Sequence, residues 1–405
     1  MSDLVAGDTQ PKRKIDWLAL GLFALGGLAA VSLIGTGLST AIYGGFGFLQ
    51  QVSSSQGVLS GLNYILAGGL LLVAAFLALL QLMGRSAPRL LAPRSGRKRA
   101  PHLLVLALPL IWVAGHTVSQ TDAAWLLLPP LHMLAVGFPL LWLIWLAKRE
   151  FPHIKPLRRW GALGSGLALS PFLAVILEFV AGILFFLAGM LYLSFSPEML
   201  FNLERLFTRL SWGNPSMETL TRILEPFASD AVLAVLFVGF FAVAVPFIEE
   251  LVKPAAVLLL LRRPITVREG FVLGAISGAG FGLLENLTQG ASTEGWAPLV
   301  VARLGTTAVH MITAGLTGAA LVEARDRQQY GRLIAAYLTA VLLHGLWNAM
   351  AVLPVLAELS DAYPRHLVIT PWMVLALLGA GSVILIAAIN RRLRPVGVAG
   401  EPESG

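Results

Sequence analysis

The chain contains no cysteine, which excludes disulfides, thiol nucleophiles and thiolate metal sites together. Charge is scarce as well. Asp, Glu, Lys and Arg make up 13% of the 405 residues, against roughly 25% in an ordinary soluble domain. So little polar surface cannot cover a water-soluble fold of this length, and a mean hydropathy of +0.78 points to a polytopic membrane protein. The net charge of +7 does not imply a nucleic-acid partner, because the basic residues sit in short loops between apolar stretches, the pattern of cytoplasmic loops. There is no internal repeat and no soluble domain. The polar, then basic opening M-S-D-L-V-A-G-D-T-Q-P-K-R-K lacks a secretory cleavage site, and is expected to lead into a retained first helix.

What is present in excess is long apolar runs. Each span needs about 20 apolar residues, and the runs predict an all-α polytopic membrane protein of about ten helices. The expected spans are Asp16–Gly37, Leu59–Met83, Leu103–Val118, Ala123–Ala147, one within Trp160–Phe195 interrupted by Pro171, Ala231–Leu261, one from Gly270, Pro298–Val322, Leu333–Val355 and Val368–Asn390. With both termini inside, this order puts every basic cluster on the cytoplasmic side: Lys12–Lys14, Arg85–Arg99, Lys148–Arg159, Arg262–Arg268, Arg325–Arg332 and Arg391–Arg394. Ser196–Asp230 carries Phe201, Leu206, Phe207, Leu210 and Trp212 among charges, and is expected to lie as an amphipathic helix on the outer surface.

Polar residues inside these spans are unevenly spread. The early spans offer His116 and His132; the later ones offer Glu178, Glu249, Glu250, Lys253, Glu285, Asn286, Arg303, His310, His344 and Asn348. The chain is therefore expected to divide into a four-helix scaffold region over 1–160, a six-helix functional core over 161–394, and a flexible cytoplasmic tail over 395–405. The sharpest anomaly is V-P-F-I-E-E-L-V-K-P at Val245–Pro254, two carboxylates and an ammonium within one apolar run. Charge at membrane depth costs a few kcal/mol or more and marks function by default. Pro246 and Pro254 would deprive the Ala242 and Glu250 carbonyls of their helical donors.

Spacing fixes which side chains share a face. Glu249 and Lys253 are four apart and suited to an ion pair, whereas Glu249 and Glu250 point about 100° apart. A purely structural ion pair would explain one glutamate and leave the other without a partner. Gly274, Gly278 and Gly282 form a small-residue stripe of the kind that packs helices closely. Glu285 lies toward the end of its span, where it reads equally as an interfacial residue, and Asn286 as a cap or a cross-link. His344 and Asn348 share one face, and His310 falls mid-span on the preceding helix.

A carboxylate beside an imidazole can take a proton from water, and a second imidazole with an amide can stabilise an oxyanion. That chemistry is peptide-bond hydrolysis. Alternatively Glu249, His310 and His344 could hold Zn²⁺ and leave one position for water. The metalloprotease motif H-E-x-x-H is absent. Two other function classes compete: a proton-coupled secondary transporter, which predicts internal pseudo-symmetry, and a non-catalytic membrane scaffold subunit.

E-E-x-x-K at Glu249–Lys253, F-x-x-x-E-N at Phe281–Asn286, the isolated His310 and H-x-x-x-N at His344–Asn348 resemble the PrsW family of bacterial intramembrane proteases, within the wider superfamily of CAAX-processing and bacteriocin-processing endopeptidases. The resemblance covers roughly Asp230–Val355. It implies that Glu249 activates water with help from His310, that His344 and Asn348 form the oxyanion site, and that Glu250 and Lys253 hold the architecture, with Phe281, Glu285, Asn286 and Arg303 supporting. The CAAX-processing pattern has a histidine where this chain has Glu285, which leaves the water-activating partner open. No cofactor is expected to be obligatory, with Zn²⁺ as the alternative. The implied partners are the lipid bilayer and a single-pass membrane substrate such as a membrane-anchored anti-sigma factor, in a bacterial cytoplasmic membrane. If Lys253 neutralises Glu249, the base is expected to be Glu250 instead.

Overall fold

The computed structural model describes residues 16–49, 56–86, 88, 100–149, 154–211, 213, 216–288 and 296–393. Among the described residues there is helix and no strand, as expected where the surrounding lipid offers backbone groups no water. In chain order the helices are α1 (Trp17–Leu49), α2 (Gln56–Leu82), α3 (Ala100–Leu106), α4 (Leu108–Ser119), α5 (Ala124–Lys148), α6 (Pro156–Gly164), α7 (Ser170–Ser194) and α8 (Pro197–Ser211). They continue with α9 (Met217–Ser229), α10 (Ala231–Gly239), α11 (Val245–Val252), α12 (Ala255–Leu260), α13 (Val267–Thr288), α14 (Trp296–Arg327), α15 (Tyr330–Leu359) and α16 (Thr370–Arg392).

Among the described residues, nine stretches are long and apolar enough to cross a membrane: Trp17–Phe46, Gly57–Leu82, Ala124–Lys148, Pro156–Ser194, Ala231–Leu260, Val267–Leu287, Val300–Arg327, Tyr330–Leu359 and Arg365–Arg392. The third expected span differs. Leu104–Ser119 is apolar but shorter, and it breaks between α3 and α4 at Ala107. Pro109 lies in the first turn of α4, where its missing N–H leaves no helical acceptor unserved. The expected outer amphipathic helix is in fact two, α8 and α9.

Proline is handled differently where the chain must continue across the bundle. Ahead of Pro171, Ser165–Leu169 forms a π-helical turn in which the Ser170 N–H reaches the Ser165 carbonyl. Ahead of Pro246, Phe240–Ala244 does the same, with the Val245 N–H donating to Phe240 O. Each turn takes up an extra residue and allows the helix to restart with its proline in the first turn. The Ala231–Leu261 run is therefore three helices, α10, α11 and α12, with a second break at Lys253–Pro254.

Several basic segments meet at one end of the bundle. Arg158 pairs with Glu269 at 3.0 Å and Arg263 with Asp16 at 2.8 Å, while Arg325 donates to the carbonyls of Leu261, Arg263 and Ile265. Lys12–Lys14, most of Arg85–Arg99, Arg394, Trp212 and the 395–405 tail lie outside the described residues. The apolar core is continuous across the expected boundary at residue 160, running from Leu71, Leu140 and Leu143 to Phe271, Ile276 and Met311. Polar ties cross it as well: Asn63 Nδ2 donates to Leu287 O and Trp112 Nε1 to Ala297 O. His132 belongs to the same seam, accepting from Trp296 Nε1 at 3.2 Å. Around this core α13 is enclosed, while α7 turns Phe172, Val175, Phe179 and Leu184 outward, an apolar surface suited to lipid.

Candidate active site

Four helices bring their polar residues to one point. Glu249 and Glu250 lie on α11 with Lys253 just beyond its end; Phe281, Glu285 and Asn286 lie on α13, Arg303 and His310 on α14, and His344 and Asn348 on α15. Neighbouring side chains tie the backbone near the prolines. Ser277 Oγ on α13 donates to the Lys253 carbonyl at 2.7 Å, which lacks a helical donor because the Val257 N–H turns to Pro254 O. Tyr337 on α15 donates to the Phe247 carbonyl at 2.6 Å. Helix α14 comes within reach because Gly278 on α13 faces the His310 carbonyl, where a Cβ would have no room, and Asn286 Nδ2 donates to Thr307 Oγ1 at 2.9 Å.

Lys253 Nζ is the hub. Its side chain is fully buried, and its ammonium lies 2.7 Å from Glu250 Oε1, 2.7 Å from His310 Nδ1 and 3.2 Å from His344 Nδ1. An ammonium has three protons, fewer than the acceptors around it. Glu249 Oε2 is a fourth, 2.9 Å from Nζ. Its carboxylate is thus held beside the positive charge. Phe281 closes one side, with Nζ 4.8 Å from its ring centroid.

This arrangement sets the His310 tautomer. With Nδ1 accepting from Lys253, His310 carries its proton on Nε2 and donates to Glu285 Oε2 at 2.7 Å. Glu285 Oε1 in turn receives Arg303 Nη1 at 3.0 Å. Glu285 is thus a working member of the cluster and not an interfacial residue. His344 Nδ1 lies 2.9 Å from Glu250 Oε1 as well as 3.2 Å from the ammonium, and its Nε2 faces Glu249, 3.7 Å from Oε2. The two imidazoles meet edge to face at 4.9 Å.

The two glutamates separate by environment. Lys253 pairs with both, so pairing alone does not move the role of base from one to the other. Exposure does distinguish them: the Glu250 side chain is fully enclosed and that of Glu249 is 11% exposed. Only Glu249 can meet an incoming molecule. Asn348 occupies a different place from the oxyanion position expected of it. Its Nδ2 donates to the Phe241 carbonyl at 2.9 Å. Phe241 needs that donor, because the Val245 N–H is taken by Phe240 and Pro246 has none.

Glu178 on α7 was counted among the intramembrane polar residues but given no role. In the structure its carboxyl group faces Glu249, which makes α7 a wall of the site. An acidic residue in an otherwise apolar span was the available signal. Ser277, Thr307 and Tyr337 carried none, since hydroxyls are ordinary in membrane helices.

Glu249, His310 and His344 each offer a ligand-type atom, all within 4.8 Å of one another. The donor types would suit zinc. The lone pairs of His310 do not: its Nδ1 accepts from Lys253 and its Nε2 is committed to Glu285.

A family model described as PrsW family intramembrane metalloprotease matches residues 160–379, over half of the chain and all four motifs. No curated protein and no solved structure matches.

Proposed function

The chain belongs to the PrsW family of intramembrane metalloproteases, and from that premise we propose that it hydrolyses a peptide bond of a single-pass membrane protein with water activated by Glu249. The observation that supports this reading is the place of Glu249, whose carboxylate is held 2.9 Å from the Lys253 ammonium and whose side chain is 11% exposed where that of Glu250 is fully enclosed. A general base must hold its lone pair within reach of the proton it removes.

In this reading a water bonded to Glu249 attacks the scissile carbonyl carbon as its proton passes to the carboxylate. The carbonyl oxygen becomes an oxyanion, met by the His344 imidazole and by the nearby charge of Lys253. Collapse breaks the C–N bond, and Glu249 returns the proton to the leaving amine. Glu250, His310, Glu285 and Arg303 fix Lys253 and His344 in place. Glu178 supports Glu249 from the lipid-facing helix. The substrate class follows the family: a membrane-anchored anti-sigma factor in a bacterial cytoplasmic membrane.

The test is cleavage of a single-pass substrate by the purified protein in liposomes. Glu249→Gln and His344→Ala should each lower the rate by a factor on the order of 10² or more, as for loss of a general base or an oxyanion donor, with the variants remaining folded. Undiminished cleavage by folded Glu249→Gln removes the mechanism.

A further inference from the structure

We infer that the Lys253 ammonium is the resident cation of this centre, and that it excludes the divalent metal which the family description implies. The inference concerns the same cluster as the proposed hydrolysis, but it is read from metal content and does not depend on cleavage.

A metal bound by Glu249, His310 and His344 needs one lone pair from each imidazole at about 2.0–2.1 Å. His310 has no such pair to give: Nδ1 lies 2.7 Å from Lys253 Nζ and Nε2 lies 2.7 Å from Glu285 Oε2. His344 has its Nδ1 2.9 Å from Glu250 Oε1 and 3.2 Å from the same ammonium, and Glu249 Oε2 lies 2.9 Å from that ammonium. The ammonium touches all three would-be ligands at once, so a metal drawn to them would enter the volume Nζ already fills. Two positive groups at such separation in a low-dielectric interior repel strongly.

Geometry, and not charge count, holds the lysine in place. Glu249 and Glu250 carry two negative charges against one from Lys253, and Glu285 is matched by Arg303. Lys253 cannot swing aside without leaving the fully buried Glu250 unpaired, and breaking a buried pair this way is strongly unfavourable. Phe281 across the ring face and Ser277 on the Lys253 carbonyl further hold the residue in position. Glu249, His310 and His344 are thus a metal-type set of side chains organised around a covalently tethered cation.

Removing that cation should turn the set into a metal site. The full chain in detergent, as wild type, Lys253→Ala and Lys253→Ala/Glu250→Gln, is dialysed against Zn²⁺ or Co²⁺ and freed of unbound ion. Metal per chain is then measured, together with the visible spectrum of bound Co²⁺. The double variant removes the stranded carboxylate along with the lysine and protects folding. The expected result is no stoichiometric metal on wild type and about one equivalent on the lysine-free chains. That uptake should fall at least about tenfold when His344→Ala is added. Wild type that holds one equivalent of zinc, lost on His344→Ala, overturns the inference. So does an absence of metal from folded lysine-free chains, because Lys253 would then not be what excludes it. If neither variant folds, the wild-type measurement decides alone.

Discussion

Lys253 is the residue on which the account turns, and its surroundings make a prediction about stability separate from catalysis. Its ammonium neutralises part of a doubly negative, buried carboxylate pair. Lys253→Met removes one partner and leaves Glu250 with no exit to solvent, a change that costs about 3–5 kcal/mol in buried pairs. Unfolding in mixed micelles should show that loss for the single variant and a substantial recovery for Lys253→Met/Glu250→Gln. Equal stability of wild type and Lys253→Met would mean that the cluster is not a structural element. At this scale the sequence was informative about identity and poor about pairing. E-E-x-x-K marked the three charges, but spacing allowed Lys253 to bond either glutamate. The answer, both at once with two histidines added, depends on α14 and α15, which no local pattern places.

Among the elements, α11 shows how an interrupted helix becomes a site. Pro246 forces a π-helical turn before it and Pro254 a break after it, so the glutamates sit on a short segment whose loose carbonyls are tied by neighbours. Ser277 serves Lys253 O, Tyr337 serves Phe247 O, and Asn348 serves Phe241 O. Asn348→Ala should therefore cost about 1–3 kcal/mol, the usual penalty of a polar group left without its partner. Thermal unfolding of the variant beside its cleavage rate tests this. A lost rate with full stability would return Asn348 to the oxyanion role implied by resemblance. The prolines were legible as interruptions, and Gly274, Gly278 and Gly282 as a packing stripe, because both rest on backbone chemistry. The use of Asn348 was not legible. H-x-x-x-N puts an amide on the histidine's face without saying whether it meets substrate or a carbonyl of α10–α11.

Over the whole molecule, composition and loop charge were sufficient for an all-α membrane bundle, because hydrophobic length and positive loops are properties of the chain itself. The partition into scaffold and core was read from where polar residues fall, and the apolar core ignores it: Leu71 and Leu140 pack in one cluster with Phe271 and Met311. Such a boundary depends on which helices touch, and side-chain polarity alone does not report that. The first helices in this way brace α13, and α13 in turn braces the cluster around Lys253. What the assembled molecule is claimed to do is hydrolysis by water inside a membrane bundle. The most direct measurement is cleavage of a single-pass substrate in liposomes prepared in H₂¹⁸O, with the new carboxyl terminus analysed by mass spectrometry under single-turnover conditions. The account predicts one ¹⁸O atom in that carboxylate for wild type and no product for folded Glu249→Gln. Product from Glu249→Gln at the wild-type rate, or a product without ¹⁸O, would contradict it.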